Sequence, residues 1–292
     1  MLLDQQKLTS ALADCAVGHT LFYHHSVPST MPIAQQVANE PAMRSGALVV
    51  TEEQTAGRGR GDRRWETPAG QALLFTLIFK APLPVPPIFF PMLAGLALGQ
   101  GLVDYLPPLA SAVGLKWPND LLLGTTMADA GKVGGILIES RYRGAEVETV
   151  LVGCGVNVLQ EGSLLPPTPP GAPPATSLQH FLHRHPAIAI HCPPLDRTAL
   201  LIHFCQQWAQ LITEPHLTPA LLHERWSARL WTLRQPVVVH STNTEGQGVQ
   251  VTGQAVAVTL DGCLVVETTD GERHRFAAGD VSVRRPDSVR VN

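Results

Sequence analysis

Two short apolar runs, Ala47–Thr51 (ALVVT) and Leu73–Phe79 (LLFTLIF), constrain what this chain can fold into more than any other feature. Each is bounded by turn-formers and rich in β-branched or aromatic residues, the signature of a strand buried in a sheet. Buried strands need a core, and the material is present. Of 292 residues 45% are hydrophobic and 15% charged, against about 25% charged in an average soluble protein. Intrinsic disorder and a coiled coil are thereby excluded. At about 100–200 residues per domain, the length fits one large domain, alone or with a small one. The formal charge of −3 exerts no global pull toward nucleic acid or anionic membrane.

Around these runs, further elements are predicted. Residues 1–20 form a short leading segment with modest helical periodicity. Leu21–His24, Leu115–Trp117, Gly135–Arg141 and Val147–Gly153 read as strands. Ile33–Glu40, Phe89–Tyr105, Leu195–Glu214 and Ala220–Leu230 read as helices. The uncharged tract from Ala81 to Val103 is broken by Pro82, Pro84, Pro86, Pro87 and Pro91, so it does not read as a membrane span. Residues 162–175 contain PPTPPGAPP, which fits neither helix nor sheet interior and is expected to be a passive surface loop. From Pro236 the texture turns to short β runs separated by Asp261-Gly262 and Asp270-Gly271, two hairpin signals. This predicts a second, all-β domain over 236–292 after a main domain over 21–235. Five cysteines without CxxC spacing and no signal-peptide pattern favour a reducing, cytoplasmic setting.

The chemistry-bearing strings lie in the main domain. Between the two buried runs, Arg58, Arg60, Arg63 and Arg64 alternate with Gly57, Gly59 and Gly61. Glycines let backbone N–H groups approach an anion, and arginines add bidentate donors. An anion cradle, an RNA contact and a solvated turn all fit this composition; the flanking Glu52, Glu53, Asp62 and Glu66 weigh against a nucleic-acid patch. In LKWPND (115–120), Pro118 is expected to turn the chain and leave Asn119 and Asp120 exposed together, as a contact for ribose, base or hydrated Mg²⁺ or as a plain turn. GKVGG (131–135) allows a ligand close to Lys132 or makes a hairpin turn. VGCGVNV (152–158) ends in small residues suited to a pocket floor, with Cys154 as a buried small hydrophobe. His180, His183, His185 and His191 have spacing that fits no single helix face, and His24-His25 and Trp208, Trp226 and Trp231 read as packing residues.

Taken together and in order, SVPST (26–30), EEQTAGRGRGDRRW (52–65), KWPND (116–120), GKVGGILIE (131–139) and GCGVNV (153–158) closely resemble the biotin protein ligases, and 261–284 resembles their small C-terminal domain. The resemblance implies an α+β fold: a mixed β-sheet backed by helices, of the class II synthetase and biotin ligase kind, followed by an SH3-like β-barrel. It implies activation of biotin by ATP and Mg²⁺ to biotinyl-5′-AMP, then transfer to a lysine of a biotin carboxyl carrier protein or domain. Biotin would be bound by Ser29, Thr30, Gln54, Gly57, Arg58, Gly59, Lys132, Gly135 and Gly155. The nucleotide would meet Arg60, Arg63, Trp65, Asn119, Asp120 and Asn157, with Asp120 near the metal; Arg58, Arg60, Asp120 and Lys132 would carry catalysis. Met31 stands where the family usually has Asn, and Gly61-Asp62 departs from its commoner basic-Gly order.

Relatives that also repress transcription carry an N-terminal helix-turn-helix domain. The roughly 20 residues ahead of the first strand here are fewer than such a module uses at ordinary domain sizes, so DNA binding is not expected, nor is a membrane; monomer and homodimer are both compatible. Two other classes share parts of the pattern. A lipoate or octanoate ligase would keep the fold, but KWPND and GRGRG favour biotin. A noncatalytic biotin or nucleotide sensor would not need the whole charged set.

Overall fold

The structure, a computed structural model, describes residues 2–61, 63–167, 171–242, 248–277 and 279–283. Asp62, residues 168–170 of the proline tract and the Arg284-Arg285 pair, read from sequence as an edge-strand finish, lie outside the described residues. The elements run α1 (Gln5–Leu12), β1 (Leu21–Val27), α2 (Thr30–Ala38), β2 (Ala47–Gln54), β3 (Ala72–Lys80), α3 (Phe90–Tyr105), β4 (Val113–Lys116), β5 (Asp120–Leu123), β6 (Gly131–Arg143) and β7 (Glu146–Asn157). There follow α4 (Leu178–Arg184), α5 (Pro186–Ala189), α6 (Arg197–Thr213) and α7 (Pro219–Ser227), then β8 (Pro236–Thr242), β9 (Gly248–Val258), β10 (Leu264–Glu267), β11 (Arg273–Phe276) and β12 (Asp280–Val283).

The two apolar runs become β2 and β3, inside a seven-stranded sheet of order β1-β2-β3-β7-β6-β5-β4. Its β1–β2 pair is parallel and its other ladders antiparallel, so the sheet is mixed. Side chains alternate across it. Leu73, Phe75, Leu77 and Phe79 of β3 join Val150, Val152, Cys154 and Val156 of β7 in the main core. Helices α3 and α6 close that face: Phe79 lies 5.2 Å, centroid to centroid, from both Phe90 and Trp208. The stretch Pro87–Tyr105 is long and apolar enough to cross a bilayer, but its α3 portion is apolar on nearly every side because it is buried on nearly every side.

The opposite face is covered only in part. Helix α2 is nine residues long and packs Met31, Ala34 and Ala38 over Ala47, Val49, Ile78 and Leu151. Beyond Leu151 the same face of β7 continues with Gly153, Gly155 and Asn157, since residues two apart point the same way. Gly135 of β6 pairs with Gly155. Where the helix cover ends, the sheet presents glycines, and a recess results.

The second sheet is antiparallel, of order β11-β10-β9-β8-β12. Strand β9 leaves β8 and takes up β10 at Gln254, the change of partner by which a small sheet turns a corner. The expected fold class, a mixed sheet backed by helices followed by a small β unit, is the one observed. Three details differ from expectation. Strand β7 runs on through Asn157 rather than stopping at Gly153. Residues 120–123 form a strand, and 178–184 a helix capped by Ser177, both too short to show a period. His25 is exposed, not packed, whereas Trp208 and Trp226 are core residues as expected.

Candidate active site

The recess on the glycine-bearing face opens into two connected chambers. The first, of about 120 Å³, is lined by Thr30, Met31, Gln54, Gly135, Gly153 and Gly155, with the Gly/Arg loop above. At its closed end Ser29 caps α2, and the buried Thr30 hydroxyl accepts from Thr76 Oγ1 at 2.8 Å. Gln54 Oε1 in turn accepts from the Thr30 N–H at 2.8 Å and from its hydroxyl at 3.2 Å. The Met31 thioether lines the same chamber over the glycine floor: a Cβ added to Gly153 would lie 2.8 Å from its sulfur.

The Gly/Arg loop folds back on itself as a narrow ribbon. Gly59 N–H donates to the Arg63 carbonyl at 2.7 Å, Arg58 bridges to Arg64, and Trp65 N–H donates to the Gly57 carbonyl at 3.0 Å. Glycine is required at 57, where a Cβ would fall 2.3 Å from the Trp65 carbonyl oxygen. The ribbon lowers the Trp65 indole onto the sheet, so close that a Cβ at Gly155 would lie 2.5 Å from the ring. The indole Nε1 is buried without a hydrogen-bond partner among the described residues. Lys132 Nζ stands 5.7 Å from the ring centroid.

The second chamber, of about 500 Å³, shares Trp65, Lys116, Asp120, Lys132 and Val281 with the first, and Arg63 and Arg64 also line both. Charge concentrates at this junction. Asp120 Oδ1 sits 2.6 Å from Lys132 Nζ and its Oδ2 3.9 Å from Lys116 Nζ. Strand pairing builds this arrangement, because β5 places Asp120 opposite Lys116 of β4 on one side and Gly135 of β6 on the other. The expected turn is present at 117–119, but the expected exposure is corrected: Asp120 begins a strand, and its side chain is 12% exposed. Asn119 Nδ2 donates to the Ile136 carbonyl at 2.7 Å, leaving Oδ1 to accept from Arg60 Nη1 at 3.4 Å. Two lysines and a set of arginines around one carboxylate leave the junction positive overall, suited to an anion.

The far wall of the second chamber comes from the proline tract, which is therefore not passive. Pro166, Pro167, Gly171, Ala172, Pro173 and Ala175 line it. The tract is fastened beside β6: Lys132 N–H donates to the Pro174 carbonyl at 2.7 Å, and Thr176 N–H to the Lys132 carbonyl at 2.9 Å. Proline lacks an N–H but keeps its acceptor, which is what this contact uses. Asn157 lines the same chamber but also holds the wall, donating from Nδ2 to the Thr176 carbonyl at 3.0 Å and accepting from Gln160 at 2.8 Å. Arg58 points elsewhere than the junction, pairing with Glu139 at 3.1 Å.

Thus Ser29, Thr30, Gln54, Arg58, Gly59, Arg60, Arg63, Trp65, Asn119, Asp120, Lys132, Gly135, Gly155 and Asn157 converge on one recess, whereas Gly57 lines neither chamber and serves the ribbon above it. Sequence reasoning missed Lys116 and Thr76. Lys116 was legible as one of only four lysines and as part of KWPND; Thr76, inside an apolar strand, gave no signal. Burial raises the Cys154 thiol far above its ordinary value, fitting a packing residue.

Residues 23–157 match the Biotin/lipoate A/B protein ligase family, and residues 243–284 match the Biotin protein ligase C terminal domain. The chain is 32% identical over 226 residues to the biotin–[acetyl-CoA-carboxylase] ligase of Paracoccus denitrificans, covering 74% of this chain and 84% of that one. It is 27% identical over 281 residues to the bifunctional ligase/repressor BirA of Bacillus subtilis, covering 94% and 78% respectively. Among solved structures, the biotin protein ligase of Aquifex aeolicus in complex with biotin and ATP superposes with a TM-score of 0.64 at 22% identity, over 91% of this chain and 99% of that chain.

Proposed function

The chain belongs to the biotin protein ligase family and is a ligase, and from that premise we propose that it joins biotin to ATP in the two chambers and passes the biotinyl group to a carrier lysine. The observation that carries this reading is the shared wall. A chamber with a hydroxyl-and-amide end and a larger chamber beside it meet at Asp120, Lys116 and Lys132. Reacting a carboxylate with the α-phosphate of ATP brings two anions together, and such a junction offsets their repulsion.

Biotin fits the first chamber with its ureido ring at Thr30 and Gln54, its bicycle against Met31 and the glycine floor, and its carboxylate directed to Lys132. A carboxylate oxygen then attacks the α-phosphorus, the bond to the bridging oxygen breaks, and pyrophosphate leaves. Arg60, Lys116 and Lys132 stabilise charge on the phosphoryl oxygens. Trp65 covers the mixed anhydride and excludes water, and adenosine occupies the chamber walled by Asn157 and the proline tract. The carrier's lysine amine, in its neutral form, attacks the anhydride carbonyl; an amide forms, AMP leaves, and Asp120 orients the amine.

The donor set fits magnesium only in part. Asp120 is one carboxylate already paired with Lys132, and no cluster of three metal-ligating side chains occurs among the described residues. That chemistry fits an ion carried in on ATP phosphates, which keeps its waters and takes one or two protein carboxylates; its contribution is to neutralise the phosphate charge. The test is mass spectrometry of an isolated biotin carboxyl carrier domain incubated with the protein, biotin and ATP. One biotinyl group added at a single lysine, dependent on ATP, is expected; no addition contradicts the reading.

A further inference from the structure

The Gly/Arg loop leaves the sheet after β2 and rejoins it at β3, and one buried ion pair grips both of its feet. Glu52 and Arg197 are 1% and 2% exposed at their side chains and meet at 2.7 Å between Oε2 and Nη2. On the outgoing side Glu52 is two residues ahead of Gln54. On the returning side Arg197 Nη1 donates to the Ala72 carbonyl at 2.9 Å, and Gly70 N–H donates to the Glu52 carbonyl at 2.9 Å.

The other carboxylate oxygen of Glu52 is also engaged. It accepts from the Leu3 N–H at 2.6 Å and from the Tyr23 hydroxyl at 3.0 Å. Burial first, and then donation to Glu52, push the Tyr23 phenol up to about 12, so it stays a donor. The leading segment is fixed beside this point: Asp4 N–H donates to Thr198 Oγ1 at 3.0 Å, and Lys7 pairs with Asp196 at 2.9 Å. Helix α6, edge strand β1, the leading segment and both feet of the loop therefore converge on one carboxylate.

An apolar pair of similar volume could fill this space and be as stable or more so, because buried charges lose their hydration. What apolar contact cannot do is set direction. Bonds to Gly70, Ala72 and Arg197 fix where each foot of the loop points, and a loop with fixed ends has less freedom to lose when it orders over a ligand.

We infer that Glu52 and Arg197, with Leu3 and Tyr23, are positioning residues that set the Gly/Arg loop for closure over the bound adenylate. This rests on the ligase reading above. None of the four lines either chamber, so their loss should appear in retention of the intermediate rather than in the polar end of the biotin chamber.

The test uses the full-length double variant Glu52→Gln/Arg197→Met, which removes both charges at nearly constant volume. Three quantities are read: thermal unfolding, tryptic cleavage at the loop arginines with biotin and a non-hydrolysable ATP analogue, and free biotinyl-AMP released per carrier labelled. Unfolding is expected to stay cooperative and KM for biotin to stay near wild type. Protection of the loop should be lost, and the release ratio should rise about tenfold or more, as for a small misplacement of a positioned group. A folded double variant with wild-type protection and release ratio would overturn the inference. Should that variant not fold, Tyr23→Phe decides, since it leaves the ion pair intact: a raised release ratio supports the clamp and an unchanged one refutes it. Wild-type protein that makes no biotinyl-AMP would remove the ligase reading instead, an outcome visible before any variant is compared.

Discussion

Arg60 and Gly279 stand 219 positions apart in the chain, and the guanidinium Nη1 of one donates to the carbonyl of the other at 3.3 Å. The second sheet thereby reaches the Gly/Arg loop, and its Val281 lines both chambers. A second tie joins the two sheets next to Pro118 of the first chamber, where Trp117 Nε1 donates to the Gly262 carbonyl at 2.8 Å. The small β unit is part of the site rather than an appendage to it.

Removing the guanidinium should loosen the hold on the intermediate. A charge-assisted hydrogen bond contributes about 1.5–3 kcal/mol, roughly 10- to 100-fold in retention. The Arg60→Gly variant is expected to release free biotinyl-AMP and to label proteins other than the carrier. Chromatography of the released adenylate checks this; tight retention with unchanged selectivity would remove Arg60 from its role.

Lys116 gives the second prediction. Its side chain is 7% exposed, lines both chambers and lies beside Asp120. A Lys116→Met variant keeps the stem and deletes the charge, so ATP–pyrophosphate exchange should fall roughly 10²–10³-fold, the range for removing one preorganised transition-state donor. Biotin affinity, measured by calorimetry without ATP, should change little. Equal losses in both would mean that Lys116 only shapes the pocket.

The glycine floor is open to test at Gly155, whose added Cβ would meet the Trp65 ring at 2.5 Å. Gly155→Ala should fold, because the clash falls on a side chain over a cavity. Overpacking of about 1–3 kcal/mol should appear as weaker biotin binding. Wild-type affinity in this variant would show that the indole does not lie over the ligand.

Burial, reinforced by the nearby Arg44 charge, lowers His19 from its model-peptide value of 6.5. The folded state thus binds its proton less readily than the unfolded state. The stability His19 contributes is complete above pH 6.5 and is lost as pH falls below it toward the depressed folded value. Thermal midpoints should decline between about pH 7.5 and 5.5, and His19→Gln should flatten that part of the profile. An unchanged slope in the variant would contradict it.

Much of this was legible in the sequence, and the physical reason differs by element. The strands of the first sheet announced themselves because ALVVT and LLFTLIF are apolar on both faces, as burial on both sides demands. The glycines of GCGVN were legible as a floor because a two-residue period puts 153 and 155 on one face. Met31 was legible as a departure, and it packs where a thioether suits the apolar cluster under α2. Strand β5 was not legible, since four residues carry no period. Nor was the part played by the proline tract, because backbone acceptors leave no mark on composition. The clamp at Glu52 was hidden for a third reason: its partner Arg197 is 145 residues away, and only the fold brings them together.

The central claim is that this recess activates biotin with ATP, and ATP–pyrophosphate exchange with Mg²⁺ tests it most directly, comparing biotin, lipoate and octanoate as the acid. Exchange supported by biotin and by neither of the other acids is the predicted result. Exchange with lipoate or octanoate in its place would assign the chain a different acyl substrate. No exchange with any acid, from protein that is folded, would contradict the account and leave a biotin- or nucleotide-binding sensor in its stead.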